Sequence, residues 1–256
     1  MKTYSKLAVA MMVGCCLLQG GQALAGTITN YYQDTAINFS SYSNPAYNAT
    51  DSVGGMPDIT GVYVTLDDVT GQLLQIKLVS DTAIDGFYSL FLNTDSNTEN
   101  WNYFAITGTG TANDAFVAAG GMLPGDGLYA VASGFSYTTV KYGTVTIDGT
   151  DYTGREGHPN AIDANSLGDS IANFLTPTLS ADGLTLTYDF SNLDITLATS
   201  YQIGWTPYCA NDVIDITGKY TQQPPANVPE PVTMVLFGAG IATLAGWHRR
   251  KGNTLK

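Results

Sequence analysis

The stretch Ile59-Thr-Gly-Val-Tyr-Val-Thr-Leu66, then Asp67-Asp68-Val-Thr-Gly71, then Gln72-Leu-Leu-Gln-Ile-Lys-Leu-Val79 decides the fold class of this 256-residue chain. Both flanking runs alternate apolar with polar or small residues. They are rich in Val, Ile, Thr, Tyr and Leu, and β-branched and aromatic side chains suit a pleated, half-buried surface. Between them, Asp, Thr and Gly supply the chemistry of a tight reversal. Two such runs joined by such a turn read as an antiparallel hairpin.

The same grammar extends outward in both directions. Expected strands are residues 59–66, 72–79, 87–93, 102–107, 127–132, 143–147, 170–175, 183–190, 200–205 and 213–217. Asp148-Gly149 and Asp182-Gly183 are hairpin-type dipeptides, and Asp85-Gly86 precedes another strand. Sustained helical periodicity is scarce before residue 232. The pattern predicts an all-β domain, an antiparallel β-sandwich of jelly-roll-like type. Residues 154–168, with Arg155, Glu156, His158 and Pro159, break the rhythm and read as a long loop or a short helix.

Both ends of the chain read as addresses. Lys2 and Lys6 precede an apolar run over residues 7–18, and Ala23-Leu-Ala25 forms an A-x-A site, so residues 1–25 are expected to be a secretory signal peptide cleaved before Gly26. A lipoprotein reading on Cys15 leaves a very short apolar region, because Leu17 and Leu18 extend the run beyond it. At the other end, residues 220–228 read as an extended, proline-rich linker. Pro229, Glu230 and Pro231 lead directly into an apolar stretch at 232–247, which His248, Arg249, Arg250 and Lys251 close with positive charge. That stretch is expected to be a transmembrane helix, long enough to span only marginally. The basic cluster on its C-terminal side is expected to stay cytoplasmic.

In this order, Pro-Glu-Pro, apolar helix and Arg-Arg, the tail at 229–251 resembles the PEP-CTERM sorting signal of Gram-negative bacterial proteins processed by the membrane protease exosortase. The resemblance implies that Pro229, Glu230 and Pro231 are recognition or cleavage elements. It implies that Arg249 and Arg250 form the stop-transfer anchor. Exosortase is then the processing partner and the membrane a partner before processing.

Charge bounds what the exported domain, residues 26–219, can bind. Between the two addresses stand four basic residues, Lys77, Lys141, Arg155 and Lys219, against 21 acidic ones, a net charge of −17. Such a field repels nucleic acid and anionic lipid. Cys15 and Cys16 leave with the signal peptide, so Cys209 is the only thiol of the body; it is expected to be buried between the two sheets of the sandwich.

The catalytic inventory is thin. His158 is the one histidine of the body, read as a solvated loop residue, and no G-x-S-x-G, H-E-x-x-H or paired-cysteine motif accompanies it. The chain is read as a non-enzyme. The sharpest polar cluster is Asn93-Thr-Asp95-Ser-Asn97-Thr-Glu99-Asn100, whose alternating oxygen side chains at Asn93, Asp95, Asn97 and Glu99 are what a loop offers to calcium, with Asp67 or Asp212 as a distant carboxylate. A polar hairpin loop is the competing reading. Most of the sixteen tyrosines are expected to pack within or across strands.

A second resemblance sits at Trp205-Thr-Pro-Tyr-Cys209-Ala210-Asn211-Asp212, similar to the Trp-x-x-x-Cys-Gly/Ala-Asn-Asp segment that closes the exported domain of many PEP-CTERM proteins. Physically, Trp205 is expected to anchor the core, Cys209 to be a small buried group, and Asn211 and Asp212 to cap a turn through backbone amides. The resembled proteins belong to exopolysaccharide-producing, biofilm-forming bacteria. The leading expectation is therefore an exported cell-surface or extracellular-matrix protein acting by adhesion or structure, with exopolysaccharide as its expected partner. The alternatives are a calcium-dependent carbohydrate-binding module and a secreted polysaccharide hydrolase.

Overall fold

The structure, a computed structural model, describes residues 26–36, 39, 57–84, 88–95, 100–107, 125–140, 144–147, 150–153, 155–172, 175–210, 212–223 and 237–241. In chain order the strands are β1 (Thr27–Gln33), β2 (Ile59–Asp67), β3 (Leu73–Ser80), β4 (Tyr88–Asn93), β5 (Tyr103–Thr107), β6 (Gly127–Val131), β7 (Tyr137–Thr139) and β8 (Thr144–Ile147). They continue with β9 (Thr150–Thr153), β10 (Pro159–Ile162), β11 (Leu167–Ala172), β12 (Thr178–Leu179), β13 (Thr185–Asp189), β14 (Ser200–Pro207) and β15 (Ile214–Lys219). Every pairing is antiparallel.

Two large sheets carry the fold. One has the order β1-β2-β3-β13-β12 and the other β11-β6-β5-β4-β14-β15. The founding hairpin is β2–β3, reversed at Asp67–Gly71, where Gly71 takes φ 75° and Asp67 N–H donates to the Gln72 carbonyl at 2.9 Å. Only a residue without Cβ enters that left-handed region at little cost.

The two sheets enclose one apolar core. Val62, Val64 and Leu66 of β2, Ile76 and Leu78 of β3 and Tyr188 of β13 meet Leu90 and Leu92 of β4, Ile203 and Trp205 of β14 and Ile214 of β15. Alternate residues of β2 and β13 face this core while the intervening ones are more exposed, as a sheet with one wet side requires. The expected antiparallel sandwich is thus present, and the ten expected strands are all found, with β11 beginning three residues before its expected start at 170.

The six-stranded sheet departs from simple alternation at its centre, where β4 and β14 are buried on both faces. β4 is buried at every position and β14 at every position after Ser200. Its second face carries a separate cluster in which Phe91, Trp101, Phe104 and Phe39 pack with Val140, Ala161, Ile162, Tyr208, Cys209 and Val213. Gly204 makes this layer possible: a Cβ there would lie 2.7 Å from the Phe39 ring and 3.0 Å from Trp101. The residues expected to form a loop or short helix at 154–168 instead supply β10, a 3-10 turn at Ala164–Ser166 and the start of β11. Strand β10 pairs with β7 and brings Ala161 and Ile162 into this outer cluster.

Gly26–Gln222 is one compact unit, to which neither end of the chain belongs. Tyr220, read above as the first linker residue, is part of the core: it is buried and its hydroxyl donates to the Leu197 carbonyl at 3.1 Å. The Gln222 side chain in turn donates to the Val69 carbonyl. Residues 237–241 are helical. Among the described residues no helix is long and apolar enough to cross a membrane. The expected signal peptide at 1–25 lies outside the described residues, as does most of the expected transmembrane helix at 232–247.

Candidate functional site

The first candidate is the β14–β15 connection, where the Trp205–Asp212 motif turns at one end of the six-stranded sheet. Trp205 is fully buried in the inner core, and its indole N–H donates across the sandwich to the Tyr188 hydroxyl at 3.2 Å. It thereby ties the last hairpin to the opposite sheet, which fulfils its expected role as an anchor. Thr206 points to the other face, and its hydroxyl lies 3.0 Å from the Pro207 carbonyl and 3.1 Å from that of Asp212.

The chain then reverses through Pro207–Ala210, closed by a 2.8 Å bond from Ala210 N–H to the Pro207 carbonyl. Ala210 is the one non-glycine residue of positive φ, at 50°, among the described residues. A left-handed backbone favours glycine, so the Gly that similar segments carry here has a physical reason. In this chain Ala210 is fully buried, and its methyl group fills space in the outer cluster.

The segment after β9 holds this reversal in place. Arg155 N–H donates to the Cys209 carbonyl at 2.8 Å, and Arg155 Nε donates to the Ala210 carbonyl at 2.6 Å. Asn160 Nδ2 donates to the Tyr208 carbonyl at 2.9 Å, while Asn160 Oδ1 accepts from the Thr138 hydroxyl at 2.8 Å. Each consecutive carbonyl from Tyr208 to Ala210 is therefore satisfied by the 155–160 segment, as buried backbone polar groups must be. Arg155 is 5 % exposed and His158 1 % exposed. The reading of His158 as a solvated loop residue is thus corrected: Val140 N–H donates to its carbonyl, and its own N–H donates to that of Arg155, which folds it inward.

Two further placements differ from expectation. Cys209 is buried, but in the outer cluster, not between the two sheets, because the chain has already left β14 on the far side of the sheet. Asp212 Oδ2 accepts the backbone N–H of Ile59, the first residue of β2, so it pins the opposite sheet beyond any local turn it caps. Asn211 lies outside the described residues. Tyr208, beside Cys209, donates its hydroxyl to the Thr107 carbonyl at 3.1 Å, and burial pushes that hydroxyl's pKa well above its usual value.

The acidic loop is the second candidate. Asn93 ends β4 almost fully buried, and its Oδ1 accepts the Asp95 N–H at 3.1 Å. Asn102 Oδ1 accepts the Thr94 N–H at 2.6 Å and its Nδ2 donates to Asp95 Oδ2 at 3.2 Å. Asn97 and Glu99 lie outside the described residues. Among the described residues no group of three or more His, Cys, Asp or Glu side chains converges as a metal site. Of the two distant carboxylates, Asp67 Oδ1 accepts from Val69 N–H, Thr70 N–H and the Thr70 hydroxyl. Those bonds, the Thr70 amide foremost, hold its pKa below the usual carboxylate value. Asp212 lies at the opposite end of β14 from the partner of Asn93, Gln202. The two candidate carboxylates thus serve separate structural tasks.

The sorting elements Pro229, Glu230, Pro231, Arg249 and Arg250 and the cleavage residues Ala23 and Ala25 all lie outside the described residues. For the tail, comparison with known families supplies what geometry does not. A family model described as the PEP-CTERM protein-sorting motif matches residues 227–251. No curated protein and no solved structure matches the chain.

Proposed function

We propose that this chain, which carries the PEP-CTERM protein-sorting motif at residues 227–251, is an exosortase-processed protein of the cell surface or extracellular matrix that acts by adhesion or structure in an exopolysaccharide context. The motif implies export to the cell envelope or surface and targeting to exosortase, and it is the observation that carries the proposal. The body's architecture supports a non-enzymatic role. Its conspicuous buried polar side chains, Arg155, Asn160, Thr138 and Asp212, direct bonds to backbone groups or to one another and so hold the fold together. A surface of net charge −17 suits a hydrated, ion-rich matrix better than a nucleic-acid partner.

Intact-mass measurement of the protein recovered from its producer tests this reading. The expected mature chain begins at Gly26 and lacks the residues after about Glu230, and a strain without exosortase retains Arg249 and Arg250. A mature protein that keeps those arginines in the exosortase-bearing strain refutes processing. Release of reducing ends from the producer's own polymer would replace the structural reading with hydrolysis.

A further inference from the structure

We infer that the free edge of β1 is a pairing surface for a second copy of this chain. An exposed strand edge offers a row of unused N–H and C=O groups, and proteins that must stay apart blunt such edges by shortness, bulges, charge or proline. The two large sheets have four edges, and three are blunted. β12 is only two residues long. β11 carries Asp169 and breaks register with β6 on both sides of Ser170. β15 carries Asp215 and Lys219.

β1 has none of these devices. Thr27-Ile-Thr-Asn-Tyr-Tyr-Gln33 contains no charge, no proline and no glycine, and its register with β2 runs unbroken from Thr27↔Asp67 to Gln33↔Gly61. Among the described residues no strand lies on its other side. It also bears Tyr31, the most exposed large apolar side chain among the described residues of the compact unit, at 51 %.

The hydrogen bonds fix which groups are free. Gly26 accepts from Asp68 N–H and Asp34 N–H donates to the Thr60 carbonyl, so the even-numbered residues of this strand bond toward β2. By the strict alternation of an antiparallel ladder, Thr27, Thr29, Tyr31 and Gln33 turn their N–H and C=O outward. A second copy brought up by a two-fold axis through Asn30 pairs Thr27 with Gln33 and Thr29 with Tyr31 in both directions. This is the one antiparallel self-register that uses all four outward residues. It sets Ile28 against Tyr32 on the inner side and brings no like charges together, a self-complementary patch of the kind a two-fold interface requires. The outcome is a continuous ten-stranded sheet across two molecules.

Sedimentation of the full-length chain in a mild detergent, over a range of concentrations, tests the inference. A monomer–dimer equilibrium is expected, and it should strengthen as salt screens the mutual repulsion of two strongly acidic bodies. Thr29→Pro removes an outward N–H and the exposed hydroxyl contact to Thr65, but no backbone bond of the β1–β2 ladder, and should weaken the dimer at least roughly tenfold while leaving the circular dichroism unchanged. Asn30→Cys places each new thiol opposite itself in a non-hydrogen-bonded pair and should give a disulfide-linked dimer on oxidation, whereas Gln33→Cys should not. A chain that stays monomeric at every concentration and salt, a dimer indifferent to Thr29→Pro or Thr29→Lys, or cross-linking at Gln33→Cys in place of Asn30→Cys overturns the inference.

Discussion

Raising the pH should unfold this protein through its buried tyrosines, and the steepness is calculable. Tyr188, Tyr201 and Tyr208 are each no more than 2 % exposed, and burial is the leading cause that pushes all three hydroxyls above the ordinary tyrosine value. In the unfolded chain they titrate near pH 10. A folded pKa above the unfolded one gives stability that is complete below the unfolded value and is lost as pH rises toward the folded value. Each such tyrosine removes about 1.4 kcal/mol per pH unit above that point, so three remove about 4 kcal/mol per unit. A domain with roughly 5–15 kcal/mol of stability then unfolds cooperatively between about pH 11 and 14. Circular dichroism and tyrosinate absorbance, followed together, should change in one coincident transition for this set. Tyr208→Phe, which forfeits the bond to the Thr107 carbonyl at a neutral-pH cost of about 1 kcal/mol, should reduce the alkaline slope by about 1.4 kcal/mol per pH unit. Tyrosinate signal from these residues before any loss of structure, or an unchanged slope in the variant, refutes the reasoning.

Ala210→Gly relieves about 1 kcal/mol of left-handed strain but gives up a buried methyl worth about 0.8 kcal/mol and adds unfolded-state freedom, so its urea midpoint should stay within about 1 kcal/mol of the parent. Ala210→Val adds β-branching at the same φ in a filled site and should cost at least about 2 kcal/mol; equal stability would contradict the geometry. Cys209 should react with a thiol reagent only once denaturant opens the outer cluster, and Cys209→Ala should cost about 1 kcal/mol, whereas fast labelling of the native protein would place it at the surface. Asp67→Ala should cost about 1 kcal/mol at neutral pH, after allowance for partial exposure. Because the folded pKa of Asp67 is depressed, that contribution is present above about pH 4 and fades as pH falls below it. The variant's acid unfolding limb should therefore be shallower, and an identical limb would remove Asp67 from the account.

The sandwich was legible because its wet-sided sheet obeys the period-two rule: in β2 and β13 apolar and polar residues alternate, and the turn residues Asp67, Gly71 and Gly183 stand where reversals occur. The outer cluster was not legible, since its residues come from separated places. Phe91 and Phe104 belong to strands whose partners across the sheet were already counted as core, while Phe39, Trp101, Tyr137 and Ile162 approach from outside it. One signal was available. Leu90-Phe91-Leu92 and Phe104-Ala105-Ile106 are unbroken apolar runs, the mark of a strand covered on both faces. The clasp on Tyr208–Ala210 could not be read from sequence, because it joins the pattern-breaking 155–160 segment to a motif some fifty residues later. Arg155 and His158 looked like loop polar residues because hydropathy prices a side chain without knowing its partners.

Where the body begins and ends gives the Asp67–Gly71 turn more weight than a hairpin usually carries. Asp68 N–H donates to the carbonyl of Gly26, the residue expected to head the exported chain, at 3.1 Å. Val69 accepts from the side chain of Gln222, the last residue of the compact unit. Between them, Gly71 accepts the Leu197 N–H and lies against the Tyr220 hydroxyl, so the first and last residues of the compact unit both bond to one five-residue turn. Asp67 orders that turn through its carboxylate. The Trp205–Asp212 reversal lies at the other end of β14, beside Ile59 at the other end of β2, and is held there by Arg155, Asn160 and Asp212. The two ends of the sandwich thus divide the work. One gathers both ends of the compact unit beside a single ordered turn, and the other stitches the two sheets together without using either end. Loss of the bonds that Gly26 and Gln222 make to the turn therefore leaves the second set intact, and the sandwich stays joined across its sheets by Trp205 and Asp212, on the reversal that Arg155 and Asn160 hold.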